Sequence, residues 1–179
     1  MIYFLSGGAK NGKSSLAQRI AKSREPFGPI YYLATMIPRD REDEARIEKH
    51  VADRAGWGFE TVECGTHILS ALDGADPRGF FLVDSVTALL SNEMFRADGT
   101  MDEAAPERVE RELAEFSARA GGAVFVSDFL YADAAKYDAW TEAYRAGLAR
   151  ADRRLAGLAD AAAEVCAGMV LWYKGGWDG

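Results

Sequence analysis

The sequence predicts an α/β domain with a mostly parallel sheet flanked by helices, and three observations carry that prediction. Short apolar runs alternate with amphipathic stretches from end to end of the 179 residues. The first apolar run passes straight into a glycine-rich turn and then a helix-forming stretch. A later apolar run, Phe80-Phe81-Leu82-Val83, ends on the carboxylate of Asp84.

Taken in order, strands are expected near Ile2–Ser6, Ile30–Ala34, Gly58–Val62, Phe80–Val83, Ala123–Ser127 and Met169–Tyr173. Helices are expected between them at Lys13–Lys22, Glu42–Arg54, Thr66–Leu72, Val86–Phe95 and Ala105–Ala120. A long Ala- and Arg-rich helix follows from about Ala134 to Ala162, with breaks at Gly147 or Gly157. The polar stretch Arg96–Pro106 reads as the long surface loop. A chain of this length reads as one domain, residues 1–179, able to bury its own core.

Composition narrows the partners. Twenty-one basic against 28 acidic side chains give a net charge of −7, which argues against a general nucleic-acid binder but leaves room for local anion sites. No apolar run approaches a membrane span, and the start lacks the basic region of a signal peptide, so no membrane insertion and a cytoplasmic setting are expected. Cys64 and Cys166 have neither disulfide-framework nor zinc-type spacing and read as small buried hydrophobes.

Gly7-Gly8-Ala9-Lys10-Asn11-Gly12-Lys13-Ser14 fits G-x-x-x-x-G-K-[ST] in the context this motif requires, strand before and helix after. Glycines let the backbone N–H groups turn inward on phosphate oxygens, Lys13 adds a charge at the β- and γ-phosphates, and the Ser14 hydroxyl can ligate Mg²⁺. Such a P-loop needs an acidic metal partner, and Asp84 is the candidate. The other reading of Asp84 is a cap for the helix at Val86, with Ser85 competing.

His50 and His67 are the only histidines. Arg46, His50 and Arg54 recur every four residues and share one face of a helix, a plausible anion-handling surface, while Ile47 and Val51 are expected to face the sheet. His67 reads as structural or solvent-facing. Trp140, Trp172, Trp177, Tyr131, Tyr137 and Tyr144 read as core or subunit contacts before a binding face, and Arg145, Arg150, Arg153 and Arg154 as a solvated or subunit-facing surface.

With these residues in view, the chain resembles the bifunctional adenosylcobinamide kinase / adenosylcobinamide-phosphate guanylyltransferase family of cobalamin biosynthesis. The likeness runs from Phe4–Ser14 through Tyr32-Leu33-Ala34-Thr35, Ala45-Arg46-Ile47-Glu48-Lys49-His50, Arg54, Trp57 and Thr61-Val62-Glu63. It continues to Leu82-Val83-Asp84-Ser85-Val86-Thr87 and Ser91-Asn92. The resemblance implies a P-loop NTPase-type, RecA-like fold and a homo-oligomer, often a trimer. It implies GTP as the nucleotide with Mg²⁺, ATP being the alternative for phosphorylation, and a cobinamide corrinoid as the acceptor. By the same resemblance, His50 is the nucleophile that becomes guanylylated, and Lys13 serves catalysis. Nucleotide contacts are implied for Gly7 to Ser15 of the loop, including Ala9, Lys10, Asn11 and Ser15, and for Ala34, Thr35, Arg54, Glu63 and Asp84, with Ser14 and Asp84 on the metal.

The C-terminal third departs from the family pattern. Ser127-Asp128-Phe129-Leu130 stands where Asn-Glu-Val-Gly is usual, Ala146 and Asp152 replace an Asp and an Asn, and the tail lacks Gly-Ile-Pro. Two other readings therefore stand beside the bifunctional enzyme: a P-loop small-molecule kinase without transferase activity, and a catalytically impaired GTP-binding regulatory homologue.

Overall fold

The structure, a computed structural model, describes residues 1–38 and 40–179, and the side chains of residues 42, 46, 49, 50 and 53 lie outside that description. Seven strands form one sheet: β1 (Ile2–Gly7), β2 (Ile30–Ala34), β3 (Glu60–Glu63), β4 (Phe80–Asp84), β5 (Gly122–Asp128), β6 (Ala161–Cys166) and β7 (Met169–Lys174). Their order is β3-β2-β4-β5-β1-β6-β7, parallel throughout except for the β6–β7 hairpin. Five helices connect or follow them: α1 (Lys13–Lys22), α2 (Arg41–Asp53), α3 (Val86–Met94), α4 (Ala105–Arg119) and α5 (Ala139–Leu158).

Alternation along the strands sorts the core into two layers, because successive side chains point to opposite faces. Ile2, Phe4, Leu33, Phe81, Val83 and Phe125 pack under α3, α4 and α5. Tyr3, Leu5, Tyr32, Leu82, Val124 and Val126 pack on the other face against Leu16, Ala17, Ile20 and Ala21 of α1. Both faces of β1, β2, β4 and β5 are thus covered, which is why those strands read as unbroken apolar runs, whereas β3 at the sheet edge is polar and largely exposed.

Several expectations need correction. The last helix begins at Ala139, where Asp138 accepts from the N–H groups of Trp140 and Thr141, and ends at Leu158. Ala161 and Ala162, read as the end of that helix, instead open the strand β6, which the sequence reading does not include. Asp160 fixes the switch: its carboxylate accepts from the Ile2 N–H at 2.7 Å and its own N–H donates to the Ile2 carbonyl. Partnership with β1 thereby overrides the helix preference of Ala161-Ala162-Ala163. Gly147 does not break α5; it lets Pro106 of α4 approach, since a Cβ there would stand 2.9 Å from the Pro106 ring. The expected helix at Thr66–Leu72 is a 3₁₀ turn over Ile68–Leu72, and another 3₁₀ turn covers Glu25–Phe27. Val51 is 49% exposed instead of facing the sheet, and Cys166 is exposed while Cys64 is buried.

Candidate active site

Every parallel strand delivers its C-terminal end to one edge of the sheet, where the P-loop, Ala34, Glu63 and Asp84 lie. β1 ends at Gly7, whose missing side chain is required: a Cβ would lie 2.2 Å from the Val165 carbonyl oxygen of β6. Lys10 (φ 59°) and Gly12 (φ 93°) bend the loop into α1, and Gly12 gives that helix no side-chain cap. The first-turn N–H groups of α1 therefore face the loop as donors suited to an anion. Asn11 ties the loop to the β6–β7 turn through its side-chain oxygen, which accepts from the Ala167 N–H at 3.0 Å.

Lys13 is only 5% exposed. Its ammonium donates to the Gly8 carbonyl at 2.7 Å and to the Asp128 carboxylate at 2.8 Å. The β1 and β4 strands are not neighbours; β5 lies between them and ends in Asp128, so that carboxylate stands between the P-loop and Asp84. Sequence reasoning had only a shifted acid here. The signal it lacked was the strand order, which no local pattern carries.

Asp84 closes β4 half-buried and accepts from the Tyr32 hydroxyl at 3.1 Å. Burial first, then the Asp84 charge, raises the Tyr32 phenol far above its ordinary range, so it stays a donor. The cap of α3 is Ser85, whose hydroxyl accepts from the Ala88 N–H, so that Asp84 keeps its carboxylate on the edge. Thr35 is wholly buried and clasps Ser85, its hydroxyl donating to the Ser85 carbonyl and accepting from the Ser85 N–H. The Asn92 amide closes the arrangement by donating to the carbonyls of Thr35 and Gly65.

Beside this clasp a pocket opens between Tyr32, Ala34, Ile47, Arg54, Glu63 and Asp84. Arg54 lies 3.9 Å over the Tyr32 ring and donates to the Thr61 hydroxyl, leaving a guanidinium and the Glu63 carboxylate on one wall. Helix α2 borders this pocket through Ile47. His50 and Arg46 belong to α2, and their side chains lie outside the described residues.

Behind the P-loop, on the α5 side of the sheet, sits a polar cluster that sequence reasoning missed. Asp152 is 2% exposed and accepts from the Tyr131 hydroxyl at 2.9 Å. Its second oxygen, the Ser6 hydroxyl and the Ser127 hydroxyl have no partner in hydrogen-bonding geometry. Burial pushes the Asp152 carboxyl up to about 6, with a smaller push from Asp128, against the pull of the neighbouring Ser127 and Tyr131 hydroxyls. Arg145, expected on the surface, is instead buried among Asp133, Glu142 and the Tyr137 ring, whereas Arg150 is an exposed partner of Glu110. His67 is exposed and within 3.9 Å of Glu93 and Glu112.

Comparison with known proteins adds two findings. The family described as "Cobinamide kinase / cobinamide phosphate guanyltransferase" matches residues 3–172. Among solved structures, the chain is similar to the flagellar accessory protein FlaH from Methanocaldococcus jannaschii, with TM-score 0.54 and 10% identity over 97% of this chain and 78% of that one. It is likewise similar to a solved ATPase domain, with TM-score 0.52 and 12% identity over 91% of this chain and 68% of that one. At such identities the likeness speaks for the P-loop, RecA-like fold alone. No curated protein matches the chain in sequence. Among the described residues no helix is long and apolar enough to cross a membrane.

Proposed function

The chain belongs to the cobinamide kinase / cobinamide phosphate guanyltransferase family, and on that premise we propose that it phosphorylates cobinamide and then transfers GMP from GTP to the cobinamide phosphate. The observation that carries this reading is the shared edge: the P-loop, Asp84 and the Arg54–Glu63 pocket open on one side of the sheet, and the helix bearing His50 borders that pocket.

In the transfer, the neutral His50 imidazole attacks the α-phosphorus of GTP. An N–P bond forms, the bond from that phosphorus to the bridging oxygen breaks, and pyrophosphate leaves. An oxygen of the cobinamide phosphate then attacks the same phosphorus, the N–P bond breaks, and adenosylcobinamide-GDP is released. The P-loop amides and Lys13 hold the departing phosphates, and Arg54 steadies charge that grows on the α-phosphoryl oxygens. Ala34 and Glu63 shape the nucleoside end of the pocket, and Thr35, expected as a nucleotide contact, is buried behind it and acts by holding Ser85 in its wall.

The donors fit Mg²⁺. The Ser14 hydroxyl on the first turn of α1 and the Asp84 carboxylate are hard oxygen ligands of the kind this ion takes. Bound there, Mg²⁺ supplies neutralisation of phosphate charge; Ser14 and Asp84 are the residues that would hold it.

The reading is tested by product. Purified protein given adenosylcobinamide, ATP, GTP and Mg²⁺ is expected to yield adenosylcobinamide-GDP by chromatography with mass detection. Recovery of unchanged cobinamide alongside tight GTP binding would leave the regulatory homologue as the better description.

A further inference from the structure

The kinase half of this reading lacks a group to take the acceptor's proton, and one carboxylate stands where such a group is needed. Asp128 ends β5, the strand between the P-loop strand and the Asp84 strand. Its backbone is pinned on both sides: its N–H donates to the Thr87 hydroxyl at 2.8 Å, and the next N–H, of Phe129, donates to the Gly7 carbonyl at 3.0 Å. The side chain is 30% exposed and 2.8 Å from the Lys13 ammonium. That ammonium marks the region of the β- and γ-phosphates in a loaded P-loop. Beside it, Phe129 and Leu130 are 44% and 40% exposed, an apolar lip continuous with the carboxylate.

We propose that Asp128 is the general base of phosphoryl transfer, accepting the proton of an alcohol on an acceptor whose apolar part rests against Phe129 and Leu130. The inference rests on the kinase reading above. Lys13 holds the carboxylate at 2.8 Å. Nucleotide phosphates draw the ammonium away, and the carboxylate is released next to the γ-phosphoryl group. The acceptor oxygen bonds to the γ-phosphorus as the bond from that phosphorus to the β,γ-bridging oxygen breaks. The hydroxyl proton passes to Asp128, and the nucleoside diphosphate leaves with the electron pair of the broken bond. Pinning on both sides keeps the carboxylate in place through this exchange, as a base held on a rigid strand end requires.

The test compares wild type, Asp128→Asn and Asp128→Ala as full chains in two assays: γ-phosphate transfer from labelled ATP or GTP to cobinamide, and labelling of the chain itself by GTP carrying the label on its α-phosphate. Asn keeps an oxygen for Lys13 and loses only the basic charge, so a structural role predicts rescue by Asn. The proposal predicts no rescue. In both variants γ-transfer falls about 10²-fold relative to α-labelling. An Asn variant that keeps γ-transfer within about threefold of wild type overturns the base. So does a wild type that takes the α-label yet passes no γ-phosphate to cobinamide, and that result leaves the guanylyl transfer standing. Conversely, γ-transfer to cobinamide that depends on Asp128 in a chain never α-labelled supports the base and removes the transferase reading.

Discussion

Two polar clusters sit at the same edge of the sheet, and they are built in opposite ways. On the β2–β4 side, Thr35, Ser85 and Asn92 satisfy one another, each polar atom named having a partner. On the β1–β5 side, Ser6, Ser127 and Asp152 leave three buried oxygens without one. A satisfied buried network fixes a single arrangement, whereas an unsatisfied one in a low-dielectric setting is costly and responsive to charge. The β2–β4 side of the edge is thus held by satisfied geometry, and the β1–β5 side carries buried oxygens that respond to charge.

Three substitutions break or sharpen that contrast. Thr35→Val has the largest expected effect, because it takes the acceptor from the Ser85 N–H and leaves the Ser85 carbonyl with the Leu89 N–H alone; a loss of about 3 kcal/mol is expected in urea unfolding. A loss below about 0.5 kcal/mol would mean the clasp holds nothing.

Asp152→Asn acts in the other direction. The ordinary carboxyl value of 3.8 is raised to about 6 in the folded chain. The unfolded chain therefore gives up this proton first as pH rises. Wild-type stability falls between those two values and stays lower above them, by about 3 kcal/mol at neutral pH. The Asn variant lacks that slope, so it matches wild type below pH ~4 and is more stable at pH ~7. Parallel stability curves for the two proteins would contradict the buried charge.

Ser127→Ala is the smallest, since its hydroxyl makes no hydrogen bond of good geometry and only draws the Asp152 carboxyl down; a change within about 0.5 kcal/mol is expected. A cost matching that of Thr35→Val would erase the distinction between the two clusters.

How legible these regions were in the sequence follows the same division. The P-loop and the Asp84 strand could be read because their chemistry is local: a glycine spacing, and an apolar run ended by one carboxylate. Asp128 could not be read as a partner of Lys13, since 115 residues separate them and only the insertion of β5 between β1 and β4 brings them together. Strand β6 was hidden by alanines whose helix preference yields to pairing with β1. A signal was nevertheless present in Ala167-Gly168, both at positive φ, the two-residue turn of a β-hairpin. Arg145 was read as surface from its basic neighbours, yet Asp133, Glu142 and Tyr137 enclose it. Only the path of the loop after β5 reveals that enclosure.

The central claim is a covalent guanylyl transfer through His50, and it is tested most directly by incubating the protein with Mg²⁺ and GTP labelled on the α-phosphate, followed by denaturing electrophoresis. The account predicts label that stays with the chain, is lost in acid, survives alkali and is absent from His50→Ala. Wild-type protein that binds GTP and never takes the label, or a His50→Ala variant labelled as strongly as wild type, would contradict it.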